Sequence, residues 1–176
     1  MPAIAIPSSS RLQMWFWFLL LINIAFIFTI RSFLLPLQTG EIVQFETAKT
    51  AGKAILIIDN WVAEGKFDKA QLSIWLDYVF IVLYVMGLIV AVLFLSDSTR
   101  HPLLIRSGRF FRWLAPAAGV CDILENIFMT QTLNGDVSEL NVMLTYDMAV
   151  TKFSLLIVTL LFIVLCLIFW FARKVR

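Results

Sequence analysis

Asp122, Glu125 and Asn126 interrupt an otherwise apolar stretch at spacings of three and four residues, which sets all three on one side of a helix. Asp77 and Tyr84, seven residues apart in a second apolar stretch, share a face in the same way. Lys152 stands at the entrance of a further apolar run, and Arg31 closes the first. A carboxylate pair beside a lysine can move a proton, and Asp with Glu and Asn can hold a hard cation. Acids facing a lysine can also neutralise one another where water is absent. None of the three chemistries is specified by the residue types alone, so no catalytic residue is assigned. The set singled out as a ligand-binding or ion-pair cluster is Asp77, Tyr84, Asp122, Glu125, Asn126, Lys152 and Arg31.

The elements that must position these residues are membrane spans. The chain has 176 residues, 61% hydrophobic and 15% charged, with 16 Phe and 6 Trp and a mean hydropathy of +0.90. This is too apolar for a water-soluble globule, in which about half the residues are apolar. A helical span needs about 20 apolar residues, so the length suits one integral membrane domain. Four runs read as spans, at about 13–35, 72–95, 109–130 and 150–172. The first is expected to stay attached as an anchor, since Arg31, Ser32 and Phe33 stand where a cleavage site would require small residues.

Between the first two spans, Ile42, Phe45, Ala48, Gly52, Ile55 and Ile58 recur at three- and four-residue steps, with Glu41, Glu46, Lys49 and Lys53 between them. That pattern predicts one amphipathic helix over about 41–64, stopped by Gly65 and anchored at the interface by Trp61. Asp68 and Gln71 read as a capping box ahead of the second span, and Asn134-Gly135-Asp136 as the turn before the fourth. Trp15, Trp17, Trp113 and Trp170 read as interfacial belt residues.

Charge location sets the expected orientation. The amino end, the connection between spans two and three, and the carboxyl end hold Arg11, Arg100, Arg106, Arg109, Arg112, Arg173, Lys174 and Arg176 against the single acid Asp97. The remainder holds six cations and eleven acids. The positive-inside rule then makes both termini cytoplasmic, in an inner or plasma membrane, and the basic face suits anionic lipids. A nucleic-acid partner is not expected, because these arginines hug span ends.

With that orientation Asp77, Asp122, Glu125, Asn126 and Lys152 fall within about one or two turns of the same extracytoplasmic surface, counting 1.5 Å per residue, and Arg31 closes the outer end of the first span. Ala115, Ala118 and Gly119 continue the polar stripe of the third span with small residues, and Gly87 and Ala91 do so in the second, so the polar faces point inward. Asn23, mid-span in the first helix, reads as an interhelical hydrogen bond. Three acids against one lysine leave a surplus of negative charge for a proton or a cation to balance. Cys121 and Cys166 read as small buried hydrophobes, and His101 lacks partners for a zinc site, so neither metal nor cofactor is expected.

The Trp75-Leu76-Asp77-Tyr78 and Lys152-Phe153 segments, with the Asp-x-x-Glu-Asn run at 122–126, resemble those of a family of small bacterial four-helix membrane proteins with no assigned activity. The resemblance implies the architecture and no reaction. The expected fold is all-α: a four-transmembrane-helix bundle with an extracytoplasmic amphipathic helix between spans one and two. Three functions stay open. The first is a binding or transport-accessory protein for a proton, a cation or an amphipathic lipid-like ligand. The second is a structural or assembly subunit whose polar cluster only packs helices, with a membrane-protein partner or a second copy. The third is a membrane enzyme acting on a lipid or isoprenoid.

Overall fold

The computed structural model describes residues 9–175, and the eight residues before them and Arg176 lie outside that range. Of the cations counted on the basic side, Arg176 and the side chain of Lys174 therefore fall outside the description. Seven helices and no strand are found among the described residues: α1 (Ser9–Leu34), α2 (Thr39–Glu46), α3 (Ala51–Ala63), α4 (Phe67–Thr99), α5 (Pro102–Phe111), α6 (Leu114–Leu133) and α7 (Glu139–Val175). Helices α1, α4 and α7 are long and apolar enough to cross a membrane. The third expected span falls on α6, whose apolar character is diluted by Asp122, Glu125 and Asn126.

Neighbouring long helices run antiparallel. Along α1 and α4, Phe16 meets Phe94 and Phe26 stacks on Phe80. Along α4 and α6, Tyr84 meets Asp122 and Asp77 meets Asn126. Along α6 and α7, Glu125 meets Lys152, while Met129 and Val142 share one apolar cluster. Small residues permit the approach. Ala115 and Ala118 are fully buried, and a Cβ on Gly119 would lie 2.8 Å from Val85 Cγ2 on α4. Gly87 faces α1, where Asn23 Nδ2 donates to its own helix at Leu19 O (2.8 Å) and across to Leu83 O (3.1 Å). Asn23 is thus the interhelical hydrogen bond its position suggests.

The connection between α1 and α4 departs from the expected single helix. It is broken at residues 47–50, where Thr50 adopts an extended backbone and its hydroxyl accepts from the Lys53 amide, starting α3 afresh. The break folds α2 against α3. Trp61, expected at the interface, is instead 2% exposed and packs on Phe45 at 5.2 Å between ring centres. A helix lying flat on lipid would have left it outward; a helix pair closing over the α4/α6/α7 end buries it. Gly65, at φ +66°, ends α3 as read from the sequence.

Two boundaries shift for local reasons. The Asp68 capping box does not form, because α4 already begins at Phe67 and Asp68 lies inside its first turn. The corresponding contact forms at α2, where the Gln38 amide donates to Glu41 Oε2 at 2.9 Å. Glu41 also takes Lys66 Nζ at 2.8 Å, tying the start of α2 to the start of α4. Pro116 falls in the first turn of α6, where its missing N–H costs no helical hydrogen bond. The chain therefore breaks at Arg112 and Trp113 rather than continuing one helix from Arg109.

The α4/α6 contact at Gly119 makes a direct prediction. Gly119→Leu should destabilise the protein by about 1 to 3 kcal/mol, the usual cost of overpacking. Gly52→Ala, at a position with open space, should change stability by a few tenths at most. Thermal unfolding in detergent measures both, and equal behaviour of the two variants would contradict the packing described.

Candidate functional site

The residues that could do chemistry meet where α4, α6 and α7 converge under α2. Lys152, two turns beyond Thr145 on α7, projects into α6, and its ammonium lies 2.9 Å from Asp122 Oδ1 and 2.8 Å from Glu125 Oε2. Asp122 completes its second oxygen by accepting from the Tyr84 hydroxyl at 2.9 Å. One turn along, Asn126 Nδ2 donates to Asp77 Oδ2 at 2.8 Å. The three-and-four spacing on α6 and the seven-residue spacing on α4 are what bring these pairs into register.

The cluster is dry. Glu125 is 0% exposed, Asp122 4% and Lys152 6%. An ionised side chain at such a place survives only with its counter-charge in contact, since removing one partner of a buried pair costs about 3 to 5 kcal/mol. Apolar clusters bracket it on both sides. Phe45, Trp61, Ile74, Met129 and Val142 lie toward α2 and α3, and Val92, Leu95, Phe162 and Cys166 toward the opposite end.

Glu46 joins the cluster without having been singled out. From the last turn of α2 its Oε2 lies 3.7 Å from Lys152 Nζ, and that oxygen is buried without a hydrogen-bond partner. A signal for it exists in the sequence: Ile42, Phe45 and Glu46 are spaced as i, i+3 and i+4, so the acid occupies a position of the apolar stripe. Burial pushes the Glu46 carboxyl above its ordinary value, with Lys152 pulling it down and Asp122 adding to the rise. Glu41, in the same helix, moves the other way: Lys66 and the Gln38 amide hold it below its ordinary range.

Arg31 is not drawn into this network. It stays exposed in the last turn of α1 and makes no ion pair with the clustered acids. It lines a cavity of about 290 Å³ between α1, α2, α4 and α6. Glu46, Asp77 and Asn126 also face that space, and the rest of its wall is largely apolar: Phe26, Ile27, Ile30, Ile42, Ile74 and Phe80 among others. Among the described residues no group of three His, Cys, Asp or Glu is placed to hold a metal ion. His101 precedes α5 and lies edge-on to Phe169, far along the chain from this layer.

The sign of the Glu46 shift predicts a pH dependence. A carboxyl raised on folding favours the folded form most when protonated, and that contribution is lost as pH rises from the ordinary glutamate value of 4.5 through the raised one. The lowered Glu41 contributes fully above 4.5 and loses its effect only below it. Between neutral pH and about 5, amide-exchange protection of α2, corrected for intrinsic rate, should therefore rise on acidification. Glu46→Gln should abolish that rise; an unchanged slope would show that another group controls the docking of α2.

Comparison of the chain with protein-family models, with curated proteins and with solved structures finds no match.

Proposed function

We propose that this is a four-span integral membrane protein in which the cavity beside the Lys152 cluster binds the polar head of an amphipathic ligand. The observation that carries the reading is the character of that cavity. Apolar side chains, mostly from α1, α2 and α4, make up most of its lining, and Glu46, Asp77 and Asn126 add polar groups beside Arg31, Gln38, Thr39 and Ser73. Ligand sites have this composition, a mostly apolar wall with a few convergent polar groups.

Four features of α6 and its neighbours support its being the fourth span. Its 20 residues reach about 30 Å at 1.5 Å per residue, the thickness of a bilayer's hydrocarbon. Its polar side chains Asp122, Glu125 and Asn126 are buried in the protein. Its outward face carries Val120, Ile123, Leu124 and Ile127. It packs antiparallel to α4 and α7, both of which can span. The connection from α4 through α5 to α6 then lies on the basic side with Arg100, Arg106 and Arg109. By the positive-inside rule that side is cytoplasmic, in an inner or plasma membrane, and can meet anionic lipids. Helices α2 and α3, and the mouth of the cavity, belong to the extracytoplasmic side.

One observation favours a second reading, in which the cluster only fixes helix register within an assembly subunit: Lys152, Asp122, Tyr84 and Glu125 pair with one another without any outside group, one Glu125 oxygen being left without a hydrogen bond. That reading requires stoichiometric protein partners on purification and leaves the cavity without consequence.

Filling the cavity separates the two. Ile30→Trp, on the α1 wall, should leave thermal unfolding within a few degrees of the parent and should remove amphiphiles that co-purify with the parent and are detected by native mass spectrometry. Identical amphiphile retention by the two proteins would overturn the binding reading.

A further inference from the structure

We propose that the cavity takes a phospholipid head with a primary ammonium beside its phosphodiester, the ammonium directed to Asp77 and Glu46 and the phosphate to Arg31. The inference rests on the reading of the cavity as an amphiphile site and adds the chemistry of the head. It starts from how the charges are distributed. Lys152 is committed to Asp122 and Glu125 at 2.8 to 2.9 Å and stands off from Glu46 at 3.7 Å. Asp77 is served by a neutral amide, Asn126, and by no cation among the described residues. The acids that face the cavity are Asp77, which has no ion pair among the described residues, and Glu46, which meets Lys152 only at 3.7 Å, while Asp122 and Glu125, which hold the lysine closely, do not line it.

Across the cavity, Arg31 presents the opposite sign. The α1/α4 register, with Asn23 against Leu83 and Phe26 against Phe80, continues to bring Arg31 within one helical turn of the level of Asp77. A head in the cavity therefore meets carboxylates from α2 and α4 and a guanidinium from α1, the pattern a zwitterion matches. A primary ammonium offers three N–H donors, enough for both carboxylates, whereas a trimethylated nitrogen offers none. The guanidinium fork fits the phosphodiester oxygens. The apolar walls at Ile27, Ile30 and Phe80 commit the site to a lipid rather than to the free head compound, because they leave acyl methylenes a dry surface.

The test is titration of the detergent-purified full chain with synthetic phosphatidylethanolamine, phosphatidylcholine and phosphatidylglycerol of identical acyl chains, read by native mass spectrometry. Phosphatidylethanolamine should bind tighter than either of the others by roughly tenfold or more, the effect of charge-assisted hydrogen bonds. Asp77→Asn, Glu46→Gln and Arg31→Gln should each weaken it by a similar factor. Asp59→Asn, on the exposed surface of α3, should not. Arg31→Gln alters an exposed group, so the test stands if Asp77→Asn or Glu46→Gln does not fold. Equal affinity for the three lipids, still abolished by Ile30→Trp, would sink the ammonium head and leave the amphiphile pocket. Binding insensitive to Ile30→Trp would sink both. Displacement of the bound lipid by free phosphoethanolamine at equal concentration would show that the head compound, not a lipid, is the ligand.

Discussion

Lys152 brings one positive charge into a body where four carboxyl groups gather, and the position of every long helix but α1 is tied to how that charge is met. Its contacts with Asp122 and Glu125 join α7 to α6, Tyr84 joins α4 to the same aspartate, and Glu46 draws α2 toward them. In an apolar medium these groups have no substitute partners, because lipid tails offer no hydrogen bonds and a lone charge there costs several kcal/mol. Apolar packing between helices is far less selective, as a helix gains little by leaving lipid for another apolar helix. The ion pairs therefore set register, and the small residues at Ala115, Ala118 and Gly119 let the backbones come close enough for the pairs to close.

The same layer divides the protein into a closed part and an open part. On one side Asp122, Glu125 and Lys152 pair with one another and are buried. On the other, Asp77 and Glu46 turn toward the space under α2, where Arg31 waits on the opposite wall. α2 is held in place at both ends, by Glu41 with Lys66 at its start and by Glu46 near Lys152 at its finish. A short helix pinned in that way forms a roof over the cavity without being one of the long helices.

Much of this arrangement is legible in the sequence because polar residues in an apolar run have few places to go. Asp122, Glu125 and Asn126 at helical spacing, Asp77 with Tyr84, and a solitary Lys152 must turn inward, and the structure brings those six together. Arg31 shares only their depth, and depth does not fix direction: at a helix end its long side chain reaches water more cheaply than it reaches the acids. Glu46 was passed over because acids on an amphipathic helix usually face water, although its place in the apolar stripe pointed inward. The break at residues 47–50 and the burial of Trp61 were hidden for a related reason. A periodic pattern shows which face is apolar but not whether that face rests on lipid or on protein, and only the Thr50 cap betrays the new start.

Lys152 and Glu125 act as one buried pair on which the rest is assembled. A double-mutant cycle with Lys152→Met and Glu125→Gln, measured by unfolding in a bilayer mimetic, addresses it directly. Lys152→Met should cost about 3 to 5 kcal/mol by stranding Glu125 and Asp122, Glu125→Gln should cost less because Asp122 still meets the lysine at 2.9 Å, and the double variant should lose less than the sum of the two. Single effects that are small and simply add would contradict the account.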